Sequence, residues 1–181
     1  MTRRVRLKDG REVAIRPLTA EDNEKIYEMF ASMSEEALRW GMPPYTRERI
    51  ERWMRNIENL IILGAEHDRR LIGYAQIHKG SQPRRIGTAG LAIYLHQDYQ
   101  GAGLGTEMTG LLLEAAEEHG VHKVNLETVA DNEAAIRLFE KMGFEVEGRI
   151  RDSYRGPDGR YHNIIAMGKI LDQEQEKTGA K

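Results

Sequence analysis

The segment Gln100-Gly101-Ala102-Gly103-Leu104-Gly105-Thr106 constrains this chain more than any other, because it joins an apolar run ending at Leu95 to a helical pattern that continues to about His119. Glycines at alternate positions leave the backbone bare, so its N–H groups can close on an anion that a Cβ would exclude. The helix that follows adds unbonded N–H groups and the positive end of its dipole. Taken alone, the loop is either a site for a phosphate-like group or a glycine-rich turn that lets a strand meet a helix. Two nucleotide motifs are excluded. Nothing after Gly105 supplies the lysine of the phosphate-binding loop, and Gly-x-Gly-x-Gly is not the Gly-x-Gly-x-x-Gly spacing of a dinucleotide site.

The length of 181 residues suits one domain over residues 1–172, able to bury roughly 70% of its unfolded surface, with a polar tail over 173–181 expected to fray. No cysteine is present, which removes disulfides, thiolate zinc sites and a cysteine nucleophile together. A reducing, cytoplasmic location fits that composition. The first residues, Met1-Thr2-Arg3-Arg4-Val5-Arg6, lead into charged and turn residues and do not read as a signal peptide. No run approaches the ~18 apolar residues of a membrane span. With a formal net charge of −2, no overall field favours nucleic acid. Neither a membrane nor a nucleic-acid partner is therefore expected.

Taken in order, polar and apolar residues alternate from Arg4 to Lys8 and from Glu12 to Pro17 about Asp9-Gly10, which predicts a β-hairpin. Thr19 and Asp22 read as a helix cap before Ile26, Met29, Phe30 and Met33. A second helix is predicted after Thr46, with Ile50, Trp53, Met54 and Ile57 as a core stripe. Between them, the segment from Arg39 to Tyr45 contains Pro43-Pro44 and cannot be regular helix; it is a plain connection or a substrate wall. Strands are predicted over Leu60 to Ala65, Leu71 to His78 and Gly87 to Leu95, the first two joined through the turn Glu66 to Arg70. Lys79, Arg84 and Arg85 read as a solvated cluster, in a loop where they could also steer a substrate. After the glycine loop, Met108, Leu111, Leu112 and Ala115 mark a helix stopped by His119-Gly120, and Val121 to Val129 a strand. Asn132 caps a further helix carrying Ala135, Ile136, Phe139 and Met142, ended by Gly143. Two final strands flank the turn Arg155 to Gly159.

This order, with the glycine-rich loop after the fourth strand, resembles the GNAT superfamily of acyl-CoA-dependent N-acyltransferases over roughly Val5 to Ile170. Two signatures carry the resemblance: Gln100-x-x-Gly103-x-Gly105, and Asn132-x-x-Ala135-x-x-Leu138-Phe139-x-x-x-Gly143-Phe144. It implies an α/β (α+β) fold with a mixed central sheet of about seven strands, splayed between the fourth and fifth, and about four helices. It also implies acetyl-CoA as co-substrate and no metal. The pyrophosphate would sit on Gln100, Gly101, Ala102, Gly103, Leu104, Gly105 and Thr106. Pantetheine would pair with the backbone of Ile93, Tyr94 and Leu95, and Asn132 and Phe139 belong to the same coenzyme site. For Asn132, helix capping is the competing role.

The implied reaction is direct attack of a primary amine on the thioester in a ternary complex. An amine of pKa near 10.4 is mostly protonated at neutral pH, so a base is useful. Glu127 stands five residues before Asn132, where the ribosomal-protein N-acetyltransferases of this family carry their base; a solvent-facing strand glutamate is the other reading. The Leu95 N–H would meet the oxyanion. Phe139 stands where the family motif usually has a proton-donating tyrosine, so the thiol, with a pKa near 8.5, would leave as thiolate, or Tyr154 or Tyr94 would act as acid. Arg151, Asp152, Tyr154 and Trp40 would border the amine entrance. The first hairpin is similar to protein-lysine acetyltransferases of the Pat type, while the last resembles relatives acting on ribosomal-protein N-termini, amino acids or polyamines. The acceptor is thus a protein or small-molecule amine, and a homodimer is compatible with the family. The alternative from another class is a non-catalytic acyl-CoA-binding sensor module.

Overall fold

The structure, a computed structural model, describes residues 2–55 and 57–171; the tail expected from 173 lies outside the described residues. The N-terminal hairpin forms as β1 (Arg3–Arg6) and β2 (Glu12–Pro17). Gly10 takes φ +89° in its turn, a conformation glycine reaches without strain. Thr19 and Asp22 form the expected capping box on a short 3-10 turn, which leads into α1 (Asn23–Ser32). Next come α2 (Arg47–Arg55), β3 (Leu60–His67) and β4 (Arg70–Lys79).

The β3–β4 connection is tighter than the five-residue turn expected. Only Asp68 and Arg69 stand outside the strands, with φ of +47° and +65°. Paired left-handed residues match the twist of the flanking strands, and the exposed Asp68 tolerates that conformation. The chain continues through β5 (Thr88–Leu95), α3 (Leu104–Glu118), β6 (Lys123–Val129), α4 (Glu133–Lys141), β7 (Glu145–Arg155) and β8 (Tyr161–Ile170).

All the strands join one mixed sheet of eight, in the order β1-β2-β3-β4-β5-β6-β8-β7. Counting the first hairpin once recovers the seven strands expected. One face is covered by α3 and α4, where Leu91, Leu104, Met108, Leu126, Phe139 and Met167 are buried together. Against the other, α1 and α2 bury Phe30, Ile50, Ile62 and Tyr74. That second cover stops short of β6 and β8, where only a small cluster of Val129, Tyr154 and Ile164, with Trp40 against it, closes the sheet surface. No helix among the described residues is long and apolar enough to cross a membrane.

Candidate active site

Strands β5 and β6 run parallel and pair only at Thr88 with Lys123, Ala89 with Val124 and Gly90 with Asn125. Beyond that point β5 stays bound to β4 as far as Leu95, and β6 to β8 as far as Val129. A gap therefore opens between Leu91–Leu95 and Leu126–Val129. Main-chain groups alternate in direction along each ladder. The His96 N–H donates to the Ile72 carbonyl at 2.9 Å, and the Gly87 carbonyl accepts from Lys123 at 3.0 Å. Leu91, Ile93 and Leu95 consequently turn their main-chain groups into the gap, whereas those of Tyr94 turn toward β4. On the opposite lip the Leu171 N–H donates to the His122 carbonyl at 2.8 Å and the Ala130 N–H to Asn163 at 2.9 Å, which leaves the main chain of Asn125 and Glu127 facing the gap.

At the head of α3, Gly101 and Gly103 take φ of +72° and +93°. The N–H groups from Gly101 to Gly105 have no acceptor among the described residues. The Thr106 N–H is engaged, donating to the Gly103 carbonyl at 3.1 Å, so the run of unbonded N–H groups is 101 to 105. Gly105 serves packing as well: a Cβ there would meet Leu138 at 3.0 Å and Leu95 at 3.3 Å. The Gln100 side chain is turned back, its amide donating to the Leu95 carbonyl at 3.0 Å. That bond fixes the turn between β5 and the loop and leaves the Leu95 N–H as the group presented to the gap. Unpaired N–H groups at a helix start, beside an unpaired strand edge, fit a pyrophosphate carrying an amide-bearing arm.

Glu127 is exposed on the face not covered by α3. It borders a cavity of about 400 Å³ together with Gly90, Asn125, Glu147 and Ala166. A Cβ at Gly90 or Gly148 would meet nothing within 4 Å, so this part of the sheet offers open space around the carboxylate. A larger cavity of about 630 Å³ lies between α3 and the β7–β8 edge, lined by Glu114, Glu117 and Lys169 among others, and does not touch the gap.

The other expected residues are placed as follows. Asn132 caps α4, accepting from the Ala135 N–H at 3.3 Å, which leaves its amide hydrogens free for a second partner. Phe139 is buried with its ring edge-to-face on Phe144 at 5.5 Å. The Tyr154 hydroxyl lies 2.8 Å from both the Arg39 and the Gly41 carbonyl oxygens, and burial raises its pKa above the ordinary tyrosine value. Its one proton is thereby committed to the chain itself. Burial likewise raises Tyr94, whose ring stands at 5.1 Å from Phe30 and 5.6 Å from Tyr45. Trp40 stacks edge-on against His162 at 5.2 Å, and His162 Nδ1 is 2.7 Å from an Asp131 carboxylate oxygen. Asp152 sits in a β7 irregularity with φ +49°, its N–H donating to the Asn163 side chain at 3.1 Å. Of these, His162, Asp131 and Asn163 carry no motif in the sequence; only the strand pairing brings them beside Trp40 and Asp152.

The sequence model described as the acetyltransferase (GNAT) domain matches residues 12–145. Among proteins of established name, the [ribosomal protein bS18]-alanine N-acetyltransferase of Escherichia coli (strain K12) is 40% identical over 73 residues, 40% of this chain and 49% of that protein. A mycothiol acetyltransferase of Corynebacterium efficiens is 31% identical over 111 residues, 61% of this chain and 35% of that one. The chain thus spans about half or less of the length of these relatives. Among solved structures, the ribosomal-protein-alanine N-acetyltransferase of Brucella melitensis superposes with a TM-score of 0.77 at 26% identity, over 87% of this chain and 99% of that one. The fold is shared as well with yncA of Salmonella typhimurium, solved with its cofactor acetyl-CoA, with a TM-score of 0.77 at 24% identity over 89% of this chain and 95% of that one. Because the family match spans well over half of the chain and takes in both lips of the gap, this protein belongs to the GNAT acetyltransferase family.

Proposed function

We propose that the protein is an acetyl-CoA-dependent N-acetyltransferase acting on a primary amine of a protein or amino acid. The observation that carries this reading is the run of unbonded N–H groups at Gly101 to Gly105 set at one end of the β5–β6 gap. The cradle would hold the coenzyme pyrophosphate, and the main-chain groups of Ile93 and Leu95 would pair with the pantetheine amides. Acetyl-CoA supplies the activated thioester. Glu127, on the open face beside the gap, takes the proton from the attacking amine. The Leu95 N–H donates to the thioester oxygen as negative charge develops on it. Asn132 contributes its free amide hydrogens to the pantetheine arm. With phenylalanine at 139 and the Tyr154 proton held by main-chain carbonyls, the sulfur leaves as thiolate, which a pKa near 8.5 permits. The sequence has no cysteine that could carry the acyl group, consistent with direct transfer.

A protein N-terminal amine, a lysine or a free amino acid all fit this chemistry, and one of the relatives is named for a ribosomal-protein alanine. A cytoplasmic location belongs to the same reading. Phe139 favours a second one, a module that binds acyl-CoA without turnover. One experiment separates them: incubation with acetyl-CoA and a panel of amines and N-terminal peptides, with free thiol release followed. Acceptor-dependent release is expected. Binding of acetyl-CoA with no release for any amine would favour the sensor, and no binding at all would overturn both.

A further inference from the structure

We propose that Lys8 is the cationic arm of the coenzyme site, pairing with the pyrophosphate held on the glycine loop; this rests on the coenzyme reading above. The loop from Gln100 to Thr106 carries no basic residue, so everything it offers an anion is partial charge on N–H groups and the helix dipole. A doubly charged pyrophosphate is poorly matched by that alone. The full positive charge comes from the opposite end of the chain. The Lys8 N–H donates to the Ala102 carbonyl at 3.0 Å, which seats the tip of the β1–β2 hairpin on the loop. The side chain then runs beside Gly103, with Cγ and Cε 3.6 Å and Cδ 3.8 Å from where a Cβ on that glycine would stand.

The ammonium is exposed and has no carboxylate partner among the described residues. Two other cations of the hairpin are engaged elsewhere. Arg11 is paired with Asp9 at 2.5 Å and donates to the Asp98 carbonyl at 2.7 Å, while Arg3 reaches Glu114 at 3.4 Å. Lys8 therefore brings a free full charge to the side of Gly103. Its placement comes from packing rather than from its own charge: Leu7 and Val13 are buried in the same core cluster as Leu104 and Met108 of α3. Changing the ammonium leaves that anchorage in place.

The test is calorimetric titration of coenzyme A and of 3′-dephospho-coenzyme A into the wild type, Lys8→Gln and Lys8→Arg, with melting temperatures measured alongside. Lys8→Gln is expected to raise Kd for both ligands by the same factor, about fivefold at low salt, and Lys8→Arg to restore most of the loss. The factor should shrink toward unity near 1 M salt, as screening requires. Unchanged Kd in Lys8→Gln, with the wild type binding normally, overturns the proposal. So does a loss confined to coenzyme A, which assigns the lysine to the 3′-phosphate instead. A wild type that binds neither ligand overturns the coenzyme reading itself. Should Lys8→Gln melt lower, recovery of affinity in Lys8→Arg supports the charge, and failure to recover overturns it.

Discussion

The hydroxyl of Tyr154 donates to the main-chain carbonyl of Gly41 at 2.8 Å, with the Arg39 carbonyl at the same distance, and so fastens the edge strand β7 to the segment between α1 and α2. Trp40 lies between these two carbonyls in the chain and packs edge-on against the Tyr154 ring at 6.1 Å. Tyr154 and Trp40 pack with Val129, two residues beyond Glu127 on β6, and a tyrosine with its proton in a tether is poorly suited to giving it to a thiolate.

Tyr154→Phe should accordingly act on stability and on acceptor binding rather than on the chemical step. Leaving the buried Gly41 carbonyl, and the half-buried Arg39 carbonyl beside it, without that hydroxyl costs about 1–3 kcal/mol. The melting temperature should fall by several degrees, and KM for the amine should rise more than kcat falls. A loss of orders of magnitude in kcat at unchanged stability would instead identify Tyr154 as an acid.

Glu127→Gln tests the base. The side chain is exposed, so folding should be nearly unaffected. Turnover is expected to fall by about 10²-fold or more, within the range for loss of a positioned base, while coenzyme Kd measured without amine stays the same. Unchanged turnover would remove Glu127 from the mechanism.

The pH dependence of stability should follow a charge cluster at the root of α1. Arg16 reaches Asp22 at 2.6 Å and Glu66 at 2.8 Å, and Lys25 reaches Glu66 at 2.7 Å. The Arg16 guanidinium holds both carboxyls below their ordinary pKa, aided by the Thr19 N–H at Asp22 and by Lys25 at Glu66. Groups with a lowered folded pKa stabilise fully above the unfolded value of about 4, and that stabilisation drains away as pH falls through the lower folded values. Arg16→Met should cost about 2–3 kcal/mol at neutral pH and flatten the acid limb of the stability curve. Chemical denaturation at pH 7 and near pH 3 reads both effects; an acid limb as steep as that of the wild type would count against the cluster.

Two glycines of α3 should respond to alanine with opposite sign. At Gly105 a Cβ would meet Leu138 at 3.0 Å and Leu95 at 3.3 Å, so α4 or β5 must give way and the cradle with it. At Gly110 the nearest atom is the Met142 Cε at 3.8 Å, ordinary contact. Gly110→Ala should therefore stabilise by about 0.5–1 kcal/mol from helix propensity, while Gly105→Ala should destabilise and weaken coenzyme binding. Thermal melts and coenzyme titration of the pair decide it.

What could be read directly was whatever depends on a residue and its near neighbours in the chain. Gly103 must be glycine because the backbone there has φ +93°, and Asn132 caps a helix whose bonded N–H is three residues away. The hydrophobic periods of α1 to α4 follow from which side of each helix is buried, and they set the number and order of elements. Together with two spaced motifs, that was enough to indicate the fold and the family.

The sheet decided the rest, because it brings together groups whose separation in the chain carries no signal. Whether Ile93, Tyr94 or Leu95 faces the gap depends on ladder parity, set by the bond from His96 to Ile72 on another strand. Tyr154 is, with Tyr94, a substitute offered for the tyrosine missing at 139, and only the fold brings the Arg39 and Gly41 carbonyls within reach of its hydroxyl. Lys8 looks like an ordinary hairpin lysine until its N–H meets Ala102. Hydrogen-bond partners within a turn or a helix cap are encoded by spacing; partners across a sheet are encoded only by the packing that orders its strands.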